Sequence, residues 1–116
     1  MAKKVLLIGA FDSKGPEYAF VRDVVLANGL EVITVNTGVL GTTNLFPVDI
    51  EAAEVAQAGG MSLEQIRKTG DRGQAMVVMA RGAEVMSGKM YEAGSFDAIF
   101  GMGGSGGSTM VTAAMR

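Results

Sequence analysis

Between Val5 and Val35 the chain reads Val5-Leu6-Leu7-Ile8-Gly9, then an interval closed by Asn28-Gly29, then Val32-Ile33-Thr34-Val35. An unbroken apolar run ended by glycine suits a strand buried on both faces of a parallel sheet, and such a strand needs covering helices. Glu17 to Asn28 offers one, with Tyr18, Val21 and Val25 on one helical face, Val24 beside them and Asn28-Gly29 as the stop. The β-branched run at 32–35 then completes a βαβ unit.

Further along, Asn36 to Pro47 is rich in Gly, Thr and Asn, which predicts a surface loop too polar for a core and longer than usual. Asp49 is expected to cap a short helix running to Gln57. Ser62-Leu63-Glu64-Gln65 has capping-box spacing for a second helix. A third is predicted from about Asp71 to Glu92, where Met76, Met79, Ala83, Met86 and Met90 alternate spacings of three and four and so line one core-facing seam. Asp97-Ala98-Ile99-Phe100 reads as a third strand, and a glycine-rich turn leads from it toward a helix starting near Thr109. The expected fold is α/β, a Rossmann-like three-layer arrangement on a parallel sheet of order 2-1-3, incomplete without a following segment. Residues 1–116 would form one N-terminal nucleotide-binding subdomain that stops within its last helix.

Composition narrows the chemistry. The net charge is −2, with no basic run and no acidic block, so neither nucleic acid nor a membrane surface is an expected partner. The chain has neither cysteine nor histidine. Disulfides, thiol catalysis and the commonest zinc ligands are thereby excluded, and any chemistry must use carboxylates, hydroxyls, Lys, Arg and backbone amides. The apolar run after Lys3-Lys4 is too short for a signal peptide, and no stretch approaches the roughly 20 residues of a membrane span. A cytoplasmic location follows as the expectation. A hydrophobic fraction of 48% in so short a chain predicts further burial against protein, in a homo-oligomer or a longer parent.

In a parallel sheet ligands bind beyond the carboxyl ends of the strands, where successive connections leave in opposite directions. Two suggestive segments occupy such ends: Gly9-Ala10-Phe11-Asp12-Ser13-Lys14-Gly15 after the first strand, and Gly101-Met102-Gly103-Gly104-Ser105-Gly106-Gly107 after the third. Glycines let backbone amides approach phosphate closely, and the helix that follows presents unpaired N–H groups. Gly103, Gly104, Ser105, Gly106, Gly107 and Thr109 are therefore the candidate phosphate contacts, with Gly9 and Gly15 flanking the opposite turn. Lys14 is the candidate countercharge, and Asp12 could help place Mg²⁺. The simpler alternative has Asp12 capping a helix and Lys14 in solvent.

The second turn matches G-x-G-x-x-G, but its acidic ribose partner would fall beyond Arg116. Against a Walker A loop, Gly107 stands where the lysine belongs. The same residues fit G-x-S-x-G, yet no histidine is present to activate Ser105. No catalytic residue and no dedicated metal site is assigned. In Gly70-Asp71-Arg72-Gly73, Asp71 is most simply a helix cap and Arg72 a surface residue.

Taken in order, Gly9-Ala10-Phe11-Asp12-Ser13-Lys14-Gly15-Pro16-Glu17, Thr37-Gly38-Val39-Leu40-Gly41, Gly70-Asp71-Arg72-Gly73 and Gly103-Gly104-Ser105-Gly106-Gly107 resemble the Tm-one-like ATP-binding domain family. The resemblance covers essentially the whole chain. It implies ATP binding, the first of two Rossmann-like subdomains, contacts from the first loop and the glycine turn, and a TIM-barrel domain as a possible partner. Ala10 and Ser13 depart from the family's usual first motif while Asp12 and Lys14 are kept, and Asn36 stands where an acidic residue often ends the second strand. The leading expectation is an ATP-binding module, with Mg²⁺ arriving with the nucleotide. A hydrolase or transferase of a small phosphorylated or carboxylated substrate, and a ligand-free interaction scaffold, are the alternatives.

Overall fold

The computed structural model describes residues 3–101. Three strands, β1 (Lys4–Gly9), β2 (Glu31–Asn36) and β3 (Ala98–Gly101), form one parallel sheet of order β2-β1-β3. Helix α1 (Phe11–Ala27) joins β1 to β2; α2 (Ala52–Ala58), α3 (Leu63–Thr69) and α4 (Arg72–Glu92) lie between β2 and β3. The chain is thus an α/β, Rossmann-like fragment with the expected strand order.

Alternation along β1 divides the interior. Leu6 and Ile8 face one side and pack with Val35, Val55, Met79 and Ala83. Leu7 faces the other, with Phe11, Tyr18 and Phe46. All three β1 side chains are buried, as a central strand of a parallel sheet requires. Four of the five members of the α4 stripe belong to the first of these cores, Met79 and Ala83 buried with Met86 and Met90 packed against them, while Met76 lies outside it and is half-buried.

Helix α4 approaches α2 unusually closely. A Cβ on Gly82 would overlap the Val55 carbonyl oxygen, and one on Gly59 would overlap the Val78 carbonyl oxygen. Only glycine lets the two backbones sit at this separation.

Several boundaries differ from expectation for physical reasons. Helix α1 starts at Phe11 rather than Glu17, with a break at Lys14 (φ −117°, ψ 20°) ahead of Pro16. Proline cannot donate to the preceding turn, so a short first turn and a longer second segment meet at this kink. Asp49 does not cap α2. Its carboxylate instead accepts from the Thr34 amide at 2.8 Å and the Thr34 hydroxyl at 3.2 Å, and Glu51 takes the N-cap position. The capping box of α3 forms as predicted, with Ser62 accepting from the Gln65 amide at 3.2 Å, and Asp71 caps α4 by accepting from Gln74 at 3.1 Å.

The loop after β2 is less exposed than its composition predicts. Asn36, Thr37 and Gly38 are buried, and Phe46 anchors its far end in the α1-side core, where its ring meets Phe11 edge-on at 5.0 Å. The expected helix near Thr109 lies outside the described residues.

Tyr18 ties α1 to the end of β1. Its hydroxyl donates to the Ile8 carbonyl at 2.6 Å, and its ring fills the space a Cβ on Gly9 would need. Tyr18→Phe should keep the packing and lose that hydrogen bond, lowering stability by about 1 kcal/mol in a urea titration.

Candidate functional site

Asn36 organises the carboxyl end of the sheet. It is fully buried, and its side chain uses both ends. The Oδ1 atom accepts from the Phe11 amide at 3.0 Å and the Gly38 amide at 2.8 Å. The Nδ2 group donates to the Gly41 carbonyl at 2.9 Å and to Glu51 Oε1 at 3.1 Å. One side chain therefore fastens the start of α1, both ends of the 38–41 turn and the start of α2. An acidic residue here would offer no donor for Gly41 or Glu51, which is the local reason for asparagine.

Asp12 braces the same turn from the other side. It sits in the first turn of α1, and its Oδ2 accepts from the Leu40 amide at 3.1 Å. Its carboxylate occupies the space where a Cβ on Gly38 would be. Arg67, from α3, donates through Nε to the Val39 carbonyl at 2.7 Å. The 37–41 turn is thus held at three points, by Asn36, Asp12 and Arg67.

Between this turn and the junction of α3 with α4 lies a crevice of about 580 Å³. Ala10 and Asp12 contribute one wall, Thr37 to Leu40 a second, and Ile66, Arg67, Gly70, Asp71, Arg72, Ala75 and Met76 the third. Three of the four motifs singled out in the sequence, separated by about 25 to 30 residues each, meet around one cavity at the carboxyl ends of β1 and β2. A cavity of this size is in the range of small-molecule sites.

The expected site residues fall in different places. Asp12 lines the crevice and also a more open hollow of about 550 Å³ bounded by Phe11, Gly15, Pro16 and residues 42–45. Gly15 belongs to that second hollow, where its missing Cβ leaves room for the Thr43 side chain, 3.0 Å away at the hydroxyl. Gly9 is buried beneath Tyr18, and its carbonyl accepts from the Thr37 amide at 2.8 Å. Lys14 is exposed at the kink in α1 and does not line the crevice. Gly103, Gly104, Ser105, Gly106, Gly107 and Thr109 lie outside the described residues. Strand β3 ends at Gly101 paired with Ile8, so the chain reaches that turn from a point beside the end of β1.

Arg67, Asp71 and Arg72 were not expected to face a cavity. Gly70-Asp71-Arg72-Gly73 carried a signal in its glycines, whereas Arg67, inside a short amphipathic helix, carried none. Among the described residues no group of three or more Asp, Glu, His or Cys is placed to hold a metal ion. Among the same residues no helix is long and apolar enough to cross a membrane.

Comparison with known proteins identifies the chain's relatives. The model of a family described as "Uncharacterised protein family (UPF0261) N-terminal domain" matches residues 3–116. A UPF0261 protein of Clostridium tetani is 39% identical over 116 residues, which is 100% of this chain and 28% of the relative. UPF0261 proteins of Mesorhizobium japonicum and Brucella suis are 33% and 30% identical, over 98% and 92% of this chain and 28% and 25% of their own lengths. The chain thus spans about a quarter of the length of these relatives. The resemblance to the Tm-one-like ATP-binding domain family is corrected by these matches: the family that fits the whole chain is UPF0261, and no function comes with its name.

Proposed function

On the premise that the chain belongs to the UPF0261 family, as its N-terminal domain, we propose that it is a nucleotide-binding module that holds phosphate at the Gly103 to Gly107 turn. One observation supports the proposal: a parallel β2-β1-β3 sheet brings three glycine-containing motifs around a crevice at its carboxyl end, and β3 ends at Gly101 beside Ile8 of β1. Connections from β1 leave toward β2 on one face and those from β2 return toward β3 on the other, so the gap between β1 and β3 is the switch point where phosphate binds in such sheets.

In this reading the amides of residues 103–107 receive the phosphates, ATP carries Mg²⁺ with it, and Lys14 supplies countercharge from the opposite turn. Hydrolysis is not required. Calorimetric titration with ATP and Mg²⁺ should give saturable binding that Lys14→Ala weakens about tenfold, a loss of about 1.4 kcal/mol. Ser105→Ala should leave binding intact. Turnover of a phosphorylated or carboxylated substrate that Ser105→Ala abolishes would favour the enzyme reading, and absence of binding would favour the scaffold.

Contact with more protein is proposed on separate grounds. Phe20 and Val24 lie one turn apart on α1 and are 70% and 46% exposed, and β3 has no partner strand on its outer edge among the described residues. These surfaces fit either a second copy or the remaining three-quarters of a full-length relative, in a cytoplasmic setting.

A further inference from the structure

We infer that the crevice beside β2 seats the nucleoside part of the ligand, with the Thr37 hydroxyl hydrogen-bonded to it. The inference rests on the nucleotide reading above and adds where the base and sugar lie. Thr37 is 2% exposed and lines the crevice, yet its hydroxyl has no hydrogen-bond partner among the described residues. No buried side-chain oxygen or nitrogen among the described residues lacks a partner, so this hydroxyl keeps a small area open to the crevice, from which a ligand can reach it. Its amide is already paired, donating to the Gly9 carbonyl at 2.8 Å.

The remaining lining fits a flat ring with polar edges. Leu40, Ile66 and Met76 present apolar surface, and Leu40 is 84% exposed, area that a bound ring would cover. Asp71 uses Oδ1 to cap α4, and its second oxygen has no partner among the described residues, leaving an acceptor for an exocyclic amine. Arg72 has no hydrogen-bond or ion-pair partner among them either, and a guanidinium plane stacks on aromatic faces.

Position supports the same assignment. The crevice lies at the β1 and β2 ends, while the glycine turn starts beside β1 on the β3 side. Adjacent strands lie about 4.8 Å apart, so β2 and β3 are separated by roughly 10 Å, a span one nucleotide crosses over the end of β1. Asn36 fits this picture, since its four hydrogen bonds leave nothing for ribose.

The test compares calorimetric affinities for ATP and for inorganic tripolyphosphate, both with Mg²⁺, in the protein and in Thr37→Val and Leu40→Ala. Thr37→Val keeps side-chain shape and the backbone bond to Gly9; Leu40→Ala alters an exposed residue and serves if the first variant fails to fold. ATP should bind at least about tenfold tighter than tripolyphosphate. Each substitution should weaken ATP by about three- to tenfold and leave tripolyphosphate unchanged. Equal affinities that neither substitution changes would overturn the inference while leaving phosphate binding in place. Equal weakening of both ligands would put phosphate in the crevice and overturn it too. If neither ligand binds, the nucleotide reading itself fails.

Discussion

Asn36→Asp is expected to destabilise the protein by about 3 kcal/mol, a large share of the roughly 5 to 15 kcal/mol that holds a domain together. The new carboxylate would still accept from the amides of Phe11 and Gly38, 3.0 and 2.8 Å away in the parent. It would lose both donations and set an oxygen against the Gly41 carbonyl and the Glu51 carboxylate, now 2.9 and 3.1 Å from Nδ2. Removing one partner from a buried polar group costs the desolvation of what is left, and a buried charge costs more. A carboxylate at the end of the second strand is what many dinucleotide-binding sheets use for ribose, so this substitution also separates the two roles. Here it should damage the fold before it could help a ligand. Chemical unfolding measures it directly: a midpoint unchanged from the parent would mean that Asn36 does not join these four segments.

Gly82→Ala should be almost as damaging, against the usual preference of helices. Alanine in place of glycine inside a helix ordinarily stabilises by about 1 kcal/mol. At this position the added methyl would overlap the Val55 carbonyl oxygen, an atom that cannot turn aside as a side chain can. Helices α2 and α4 would have to separate, disturbing the core around Val55, Met79 and Ala83. Overpacking of that kind costs about 1 to 3 kcal/mol or more, and the expected net loss is about 3 kcal/mol. Gly88, in the same helix, has nothing within 4 Å of an added Cβ. Gly88→Ala should therefore stabilise by roughly 0.5 to 1 kcal/mol. Thermal unfolding of the two variants should move in opposite directions, and a shared direction would refute the close crossing.

The sheet was legible because its signals are local. A continuous apolar run, a β-branched run and glycine punctuation placed all three strands, and they lie in the order 2-1-3 expected of a Rossmann-like sheet. The methionine seam was legible too, since a periodicity of three and four survives whatever the seam packs against. What the sequence hid depends on contacts between distant residues. Asp49 has the composition of a helix cap, but Thr34 lies within 2.8 Å of it through the fold and takes its carboxylate. Asn36 reads as a departure from an acidic pattern, although its four partners show an asparagine fully used.

The candidate site divides along the same line. Asp12 was picked out for its place at the end of β1, and it does line the crevice. Lys14, two residues later, does not, because Pro16 breaks the helix there and the side chain faces solvent. Arg67 drew no notice, since a lone arginine in a short helix is unremarkable until the turn folds over it, and Thr37 was read only as the start of the Thr37-Gly38-Val39-Leu40-Gly41 motif. Gly9 and Gly38 make room for Tyr18 and Asp12, a packing need that depends on distant residues and leaves no mark in the local sequence.

The central proposal is that nucleotide phosphate binds at the glycine turn that follows β3 in the sequence. Its most direct test is the thermal midpoint of the purified protein with and without millimolar ATP and Mg²⁺, beside the Gly104→Val variant. A ligand present at 100 times its Kd stabilises by about 2.7 kcal/mol, so the parent midpoint should rise by several degrees and the variant's should stay where it was. A protein that unfolds cooperatively at the same temperature with and without ATP would contradict the account.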